Sequence, residues 1–212
     1  AAGGGINCFN SSPHITNCQI TSNTSTTFGG GANSDPGAEP IFTDCTFSDN
    51  AATLGGGASC RSSTIQLMGC IFNSNVATAA GGGFWCTNSS VDIQGGQFTD
   101  NQAEYGGGIS FDDASQGTVV GSLIDGNTSS NDGGGVYIED ASTPSLVNCV
   151  ISNNTSSQEG GGVHYAYGSN PEIAGCTITG NSSGGTVGGG IFCANSVGTI
   201  LDCVISDNHG SE

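Results

Sequence analysis

The chain has 212 residues, 38 of them glycine, and its 18 Asp and Glu stand against a single basic residue, giving a formal net charge of −17. Phosphate recognition is built from Lys and Arg clusters, so nucleic acid is excluded as a partner, and attachment to anionic lipid is disfavoured for the same reason. Apolar residues come in ones and twos rather than in a long run, so no membrane span is expected.

In chain order, a Gly-Gly-Gly triplet begins at Gly3, Gly29, Gly55, Gly81, Gly106, Gly133, Gly160 and Gly188, at spacings of 26, 26, 26, 25, 27, 27 and 28 residues. A period in this range is the signature of a solenoid. Directly after each triplet stands Ile6, Ala32, Ala58, Phe84, Ile109, Val136, Val163 or Ile191, and two residues later Cys8, Ser34, Cys60, Cys86, Phe111, Ile138, Tyr165 or Cys193. An apolar column follows at Ile15, Phe42, Leu67, Ile93, Val119, Leu146, Ile173 and Ile200. A column of small residues comes next, at Cys18, Cys45, Cys70, Gly96, Ser122, Cys149, Cys176 and Cys203. Each repeat then carries the pattern [IF]xxN, whose asparagines are Asn23, Asn50, Asn75, Asn101, Asn127, Asn154, Asn181 and Asn208.

Alternation of period two over three to six residues, broken by Gly, Asn, Asp and Ser, predicts short strands and turns and no helix. With one coil per repeat and about three short strands per coil, the chain reads as an all-β, right-handed parallel β-helix of eight coils of about 26 residues, a single domain over 1–212 without evident caps. Coils about 4.8 Å apart would make a rod of about 38 Å. The stacked asparagines are expected to form a structural ladder in which each amide bonds the next, with the asparagine itself taking the left-handed turn conformation. The triplets read as tight turns. None is followed by Lys or by a helix, as a phosphate-cradling loop would be.

The paired motifs FSDN with GGGA, FNSN with GGGF and FTDN with GGGI resemble the FxxN and GG[AILV] repeats of chlamydial polymorphic outer-membrane protein passengers. More widely, the whole chain is similar to right-handed parallel β-helix repeats of the pectate-lyase-like superfamily. The resemblance implies a surface-exposed β-helix. It also implies where enzymes of that superfamily would carry their chemistry, and those groups do not line up here. Lyase chemistry needs a basic residue beside a calcium-binding carboxylate cluster, and Arg61 is the only basic residue. Hydrolysis needs paired carboxylates, and the doublet Asp112–Asp113 reads as a solvated turn. No enzymatic activity is expected.

His14, His164 and His209 fall in different coils without metal-ligand spacing, and no CxxC occurs, so neither a metal nor another cofactor is expected; a zinc site would require assembly across coils. Trp85, Tyr137, His164 and Phe192 share one outward column, a candidate surface contact that could stack sugar rings or pack beneath a neighbouring loop or subunit.

Ten cysteines in a lysine-free acidic chain point to an extracellular or cell-surface, secreted location. Pairing between neighbouring coils would join Cys45 to Cys70, Cys60 to Cys86 and Cys149 to Cys176. Cys193 and Cys203 would then meet Cys8 and Cys18 of a second copy stacked end to end. A rival scheme pairs Cys8–Cys18, Cys60–Cys70 and Cys193–Cys203 within coils, and free stacked thiols are the third arrangement. Joining His209–Glu212 to Ala1–Ala2 of a second copy keeps the repeat in phase. The first functional expectation is therefore a structural protein that assembles head to tail into a filament, with itself as partner. The alternative is an adhesin-like segment that binds glycans. A polysaccharide-active enzyme and an ice-binding protein rank below both.

Overall fold

A computed structural model of the chain describes residues 2–185 and 187–211. The expected junction residues Ala1 and Glu212 lie outside the described residues. The described chain is all strand and turn, without a helix, and winds as eight coils. No helix is long and apolar enough to cross a membrane.

The coils build four parallel sheets, where about three strands per coil were expected. The corner sheet follows the triplets and runs from Ile6–Cys8 to Ile191–Cys193 through eight strands. A second eight-stranded sheet runs from His14–Thr16 to Thr199–Leu201, and a ladder sheet from Gln19–Thr21 to Val204–Ser206. The fourth sheet has seven strands, from Ala51–Leu54 to His209–Gly210, and several of its strands are only two residues long. Two residues are too short for an alternating pattern, which is why this facet is invisible to periodicity.

Adjacent strands pair in register at the repeat spacing, for example Phe47 on Phe72 and Phe72 on Phe98, with one register shift between Ala77 and Ala80 in the fourth sheet. Register puts like on like inside the rod. The rings of Phe47, Phe72 and Phe98 stack at 4.5 and 4.8 Å with interplanar angles of 1° and 4°. Ile124, Ile151 and Ile178 continue the same column fully buried, while Phe42, Leu67, Ile93 and Leu146 fill the facing one. This single core carries most of the stabilisation, at about 25 cal/mol for each Å² of apolar surface removed from water.

The asparagine column runs unbroken from Asn23 to Asn208. Each Oδ1 accepts both the backbone N–H and the side-chain amide of the asparagine one coil earlier, at 2.9–3.1 Å. From Asn50 onward, each side-chain amide also donates to a carbonyl of the preceding coil, such as Asn127 to Phe98 at 2.8 Å. The expectation that these asparagines hold the left-handed conformation is corrected. That strain sits one residue earlier, at Ser22, Asp49, Ser74, Asp100, Gly126, Asn153, Gly180 and Asp207, with φ between 54° and 67°. The preceding residue makes the turn, which frees the asparagine to point inward.

The intrachain cysteine pairings are also corrected. All ten are free thiols. Cys60 and Cys86 are direct register partners, yet no S–S bond joins them. The other two proposed intrachain pairs, Cys45–Cys70 and Cys149–Cys176, are likewise unbonded, and so are the within-coil pairs Cys8–Cys18, Cys60–Cys70 and Cys193–Cys203. In-register parallel strands hold their Cβ vectors side by side, whereas a disulfide needs Cβ atoms converging across a dihedral near 90°. The small-residue column instead sends its thiols to carbonyl oxygens of the preceding coil, Cys45 to Ile15, Cys70 to Phe42, Cys149 to Val119 and Cys176 to Leu146, at 3.3–3.4 Å. Burial pushes the Cys70 thiol up to about 11 and Cys86 well above its ordinary value, so both behave as small apolar groups.

Candidate functional site: an acidic, ring-walled cleft at the glycine corner

The glycine triplet makes the sharpest bend of each coil. Its first glycine takes positive φ, 64° at Gly133. Its second and third glycines lie so close to the next coil that an added Cβ on Gly134 would stand 2.5 Å from the Gly161 carbonyl oxygen, and one on Gly135 would stand 2.6 Å from that of Gly162. The bend folds the residue just before each triplet toward the side chain of the second residue after it. On successive coils the first position holds Phe28, Leu54, Ala80, Tyr105, Asp132, Glu159 and Val187. The second holds Trp85, Ser110, Tyr137, His164 and Phe192 from the fourth coil on.

The candidate contact column is therefore not a free surface. Trp85 and Tyr137 are each 6% exposed and His164 is 3% exposed, because side chains from the pre-triplet column cover them. Phe28 stacks on Trp85 with centroids 5.8 Å apart, and Arg61 lies 3.9 Å over the Phe28 ring while pairing with Asp35. Farther along, Tyr105, Tyr137, His164 and Phe192 form a continuous row with centroids 5.0–5.1 Å apart. A residue five positions upstream is not a strand neighbour, so period-two reading had no means of pairing the two columns.

Between the two ring groups opens a cleft of about 570 Å³. Trp85, Tyr105, Tyr137 and Tyr167 wall it, and Asp112, Asp113, Asp132, Glu139 and Asp140 supply its carboxylates. The reading of Asp112–Asp113 as a solvated turn is corrected for one member. Asp113 is exposed and accepts a hydrogen bond from Thr87 Oγ1 at 2.8 Å. Asp112 turns inward, where it accepts hydrogen bonds from Trp85 Nε1 and from Ser110 Oγ. Burial pushes the Asp112 carboxyl up to about 6, with the neighbouring Asp113 and Asp140 charges adding to the rise. Burial likewise raises Asp132 and Glu139 above the usual carboxylate range, and Asp140 and Asp112 reinforce the effect at Glu139. The cleft thus concentrates oxygen acceptors beside aromatic faces.

The corner also gathers Asp132, Glu159 and His164, one ligand-capable atom from each lying within 4.8 Å of the others. These residues come from two successive coils, and no spacing of His, Asp and Glu within one coil announces them. The pre-triplet column is the signal that finds them. His14 and His209 lie elsewhere, on the second sheet and the short sheet.

A scan against protein families matches residues 62–205 to the family described as right handed beta helix region. With more than half of the sequence matched and eight parallel coils built, the chain belongs to the right-handed β-helix family. Searches of the curated proteins and of the solved structures return no match.

Proposed function

We propose that this β-helix is a glycan-binding protein of the cell surface or extracellular space, and that its corner cleft seats a neutral saccharide without cleaving it. The observation that carries this reading is the pairing of aromatic walls with carboxylate acceptors in one cleft of about 570 Å³. A sugar ring would stack its C–H face on the exposed Tyr167 ring while its hydroxyls donate to the carboxylates, and the volume suits a small ligand. Five carboxylates and a net charge of −17 repel uronic acids, which selects for an uncharged sugar. The surface location rests on the likeness of FSDN, FNSN and FTDN with their GGG partners to chlamydial passenger repeats.

Trp85 is the only tryptophan, so its fluorescence reports on the cleft directly. Titration with a panel of neutral oligosaccharides should change that emission saturably, and Tyr167→Ala, at a ring 62% exposed on the rim, should weaken the response. Silence across the panel by both fluorescence and calorimetry overturns the reading. Release of reducing sugar would replace binding by hydrolysis, with Asp112 as the candidate acid.

A second reading is favoured by the last coil. Ile200 and Ile205 are 42% and 49% exposed, whereas Ile173 and Ile178 one coil earlier are fully buried. Another coil stacked there would cover them, and head-to-tail filament growth assigns that coil to a second copy. Sedimentation of the 212-residue chain should then reveal assemblies that grow with concentration and that Ile205→Asp abolishes. A monomer at every concentration rules the filament out.

A further inference from the structure

We propose that Asp132, Glu159 and His164 form a binding site for a divalent transition-metal ion of the zinc class at the edge of the corner cleft. The inference does not depend on a saccharide binding next to it. Its starting point is His164, which is 3% exposed and whose two ring nitrogens have no hydrogen-bond partner among the described residues. Burying such a group unsatisfied is costly, so its environment needs explanation.

The ring is held between the rings of Tyr137 and Phe192, with centroids at 5.0 and 5.1 Å. One nitrogen, Nδ1, faces Glu159 Oε2 at 3.9 Å, and the other, Nε2, faces Glu139 Oε1 at the same distance. Asp132 is fixed alongside, because its Oδ1 accepts the backbone N–H of Glu159 at 2.9 Å. An ion bound by Nδ1, Glu159 and Asp132 would satisfy the first nitrogen, and the Nε2 proton would then point at Glu139. That is the carboxylate–histidine–metal arrangement, in which the outer carboxylate fixes the tautomer and strengthens the ligand.

One imidazole with two carboxylates is a mixed nitrogen and oxygen set suited to Zn²⁺ and its neighbours, and three protein ligands leave a position open toward solvent. A cation seated among Asp132, Glu159 and His164, whose ligand atoms lie within 4.8 Å of one another, would offset the charge of the two carboxylates there.

The test is calorimetric titration of the chelator-treated full chain with Zn²⁺, paired with the visible spectrum of the Co²⁺ form. One saturable site per chain is expected, with displacement of the His164 imidazole ¹⁵N signals; only three histidines contribute. Glu159→Gln and His164→Phe should each lower affinity at least tenfold, and Glu139→Gln about tenfold. Glu159 is a rim residue with 37% of its side chain exposed, so its variant remains a folded control even where His164→Phe does not. Weak multi-site binding unchanged by Glu159→Gln, as a −17 surface alone would give, overturns the proposal. So does a preference for Ca²⁺ over Zn²⁺.

Discussion

Asn127 makes four side-chain hydrogen bonds with groups on neighbouring coils: it accepts the backbone and side-chain N–H of Asn101 and donates to Phe98 O and Asn154 Oδ1. Alanine at this position leaves buried donors and acceptors without partners at about 1–3 kcal/mol each, so Asn127→Ala should destabilise the protein by on the order of 4 kcal/mol. The check is a urea midpoint that falls at unchanged slope. Asp112 makes the opposite prediction. Its raised pKa means that the folded chain holds this proton more tightly than the unfolded chain does. Stability contributed by the site is therefore lost as pH rises from about 4 to about 6, and the full cost persists above that. Asp112→Asn should match the parent near pH 4 and exceed it at pH 8 by up to about 3 kcal/mol, as read by urea unfolding at the two pH values.

At the scale of strands and turns, the triplet bend tolerates almost nothing. A methyl group on Gly134 would meet the carbonyl oxygens of both Gly161 and Thr155 at 2.5 Å, and these belong to the backbone of the next coil, which has nowhere to retreat. Gly134→Ala should abolish cooperative folding by circular dichroism. Gly121→Ala, at a turn glycine with open space around its Cβ position and φ of 58°, should cost only about 1–2 kcal/mol. The repeat length, the inward columns and the asparagine ladder are all legible in the residues, because in-register stacking repeats a side chain's identity wherever its neighbour is its own counterpart. The fourth sheet escapes that logic through its two-residue strands. The ladder turn was assigned one residue late because Asn tolerates positive φ in general, whereas here Asp49 and Ser74 adopt it. The cleft escapes for a different reason. It joins Tyr105 and Tyr137, which share neither a column nor a coil, through a bend whose direction no period encodes.

On the scale of the entire rod, stability is a sum of coils and the interfaces between them, and an end coil has one interface where an inner coil has two. Ile200, Leu201, Val204 and Ile205 are 42–58% exposed, against full burial of the central Phe72, Phe98 and Ile124. Amide hydrogen exchange should run fastest in the coil from Gly188 onward and slowest around Phe72 to Phe111. Uniform protection along the rod, or faster exchange at its middle, would refute this ordering.

At this corner the side chain before one triplet meets the outward side chain that follows the next triplet, and neither belongs to the packed interior. Between one pair of coils that contact is a tyrosine couple, Tyr105 with Tyr137, and one coil further it is a carboxylate and an imidazole, Asp132 with His164, while the scaffold beneath stays the same. Such a corner behaves as a row of interchangeable sockets. Grafting Asp and His at the Ala80 and Ser110 positions would be a two-letter edit that leaves every inward residue untouched, so new specificities could arise along this edge without renegotiating the fold.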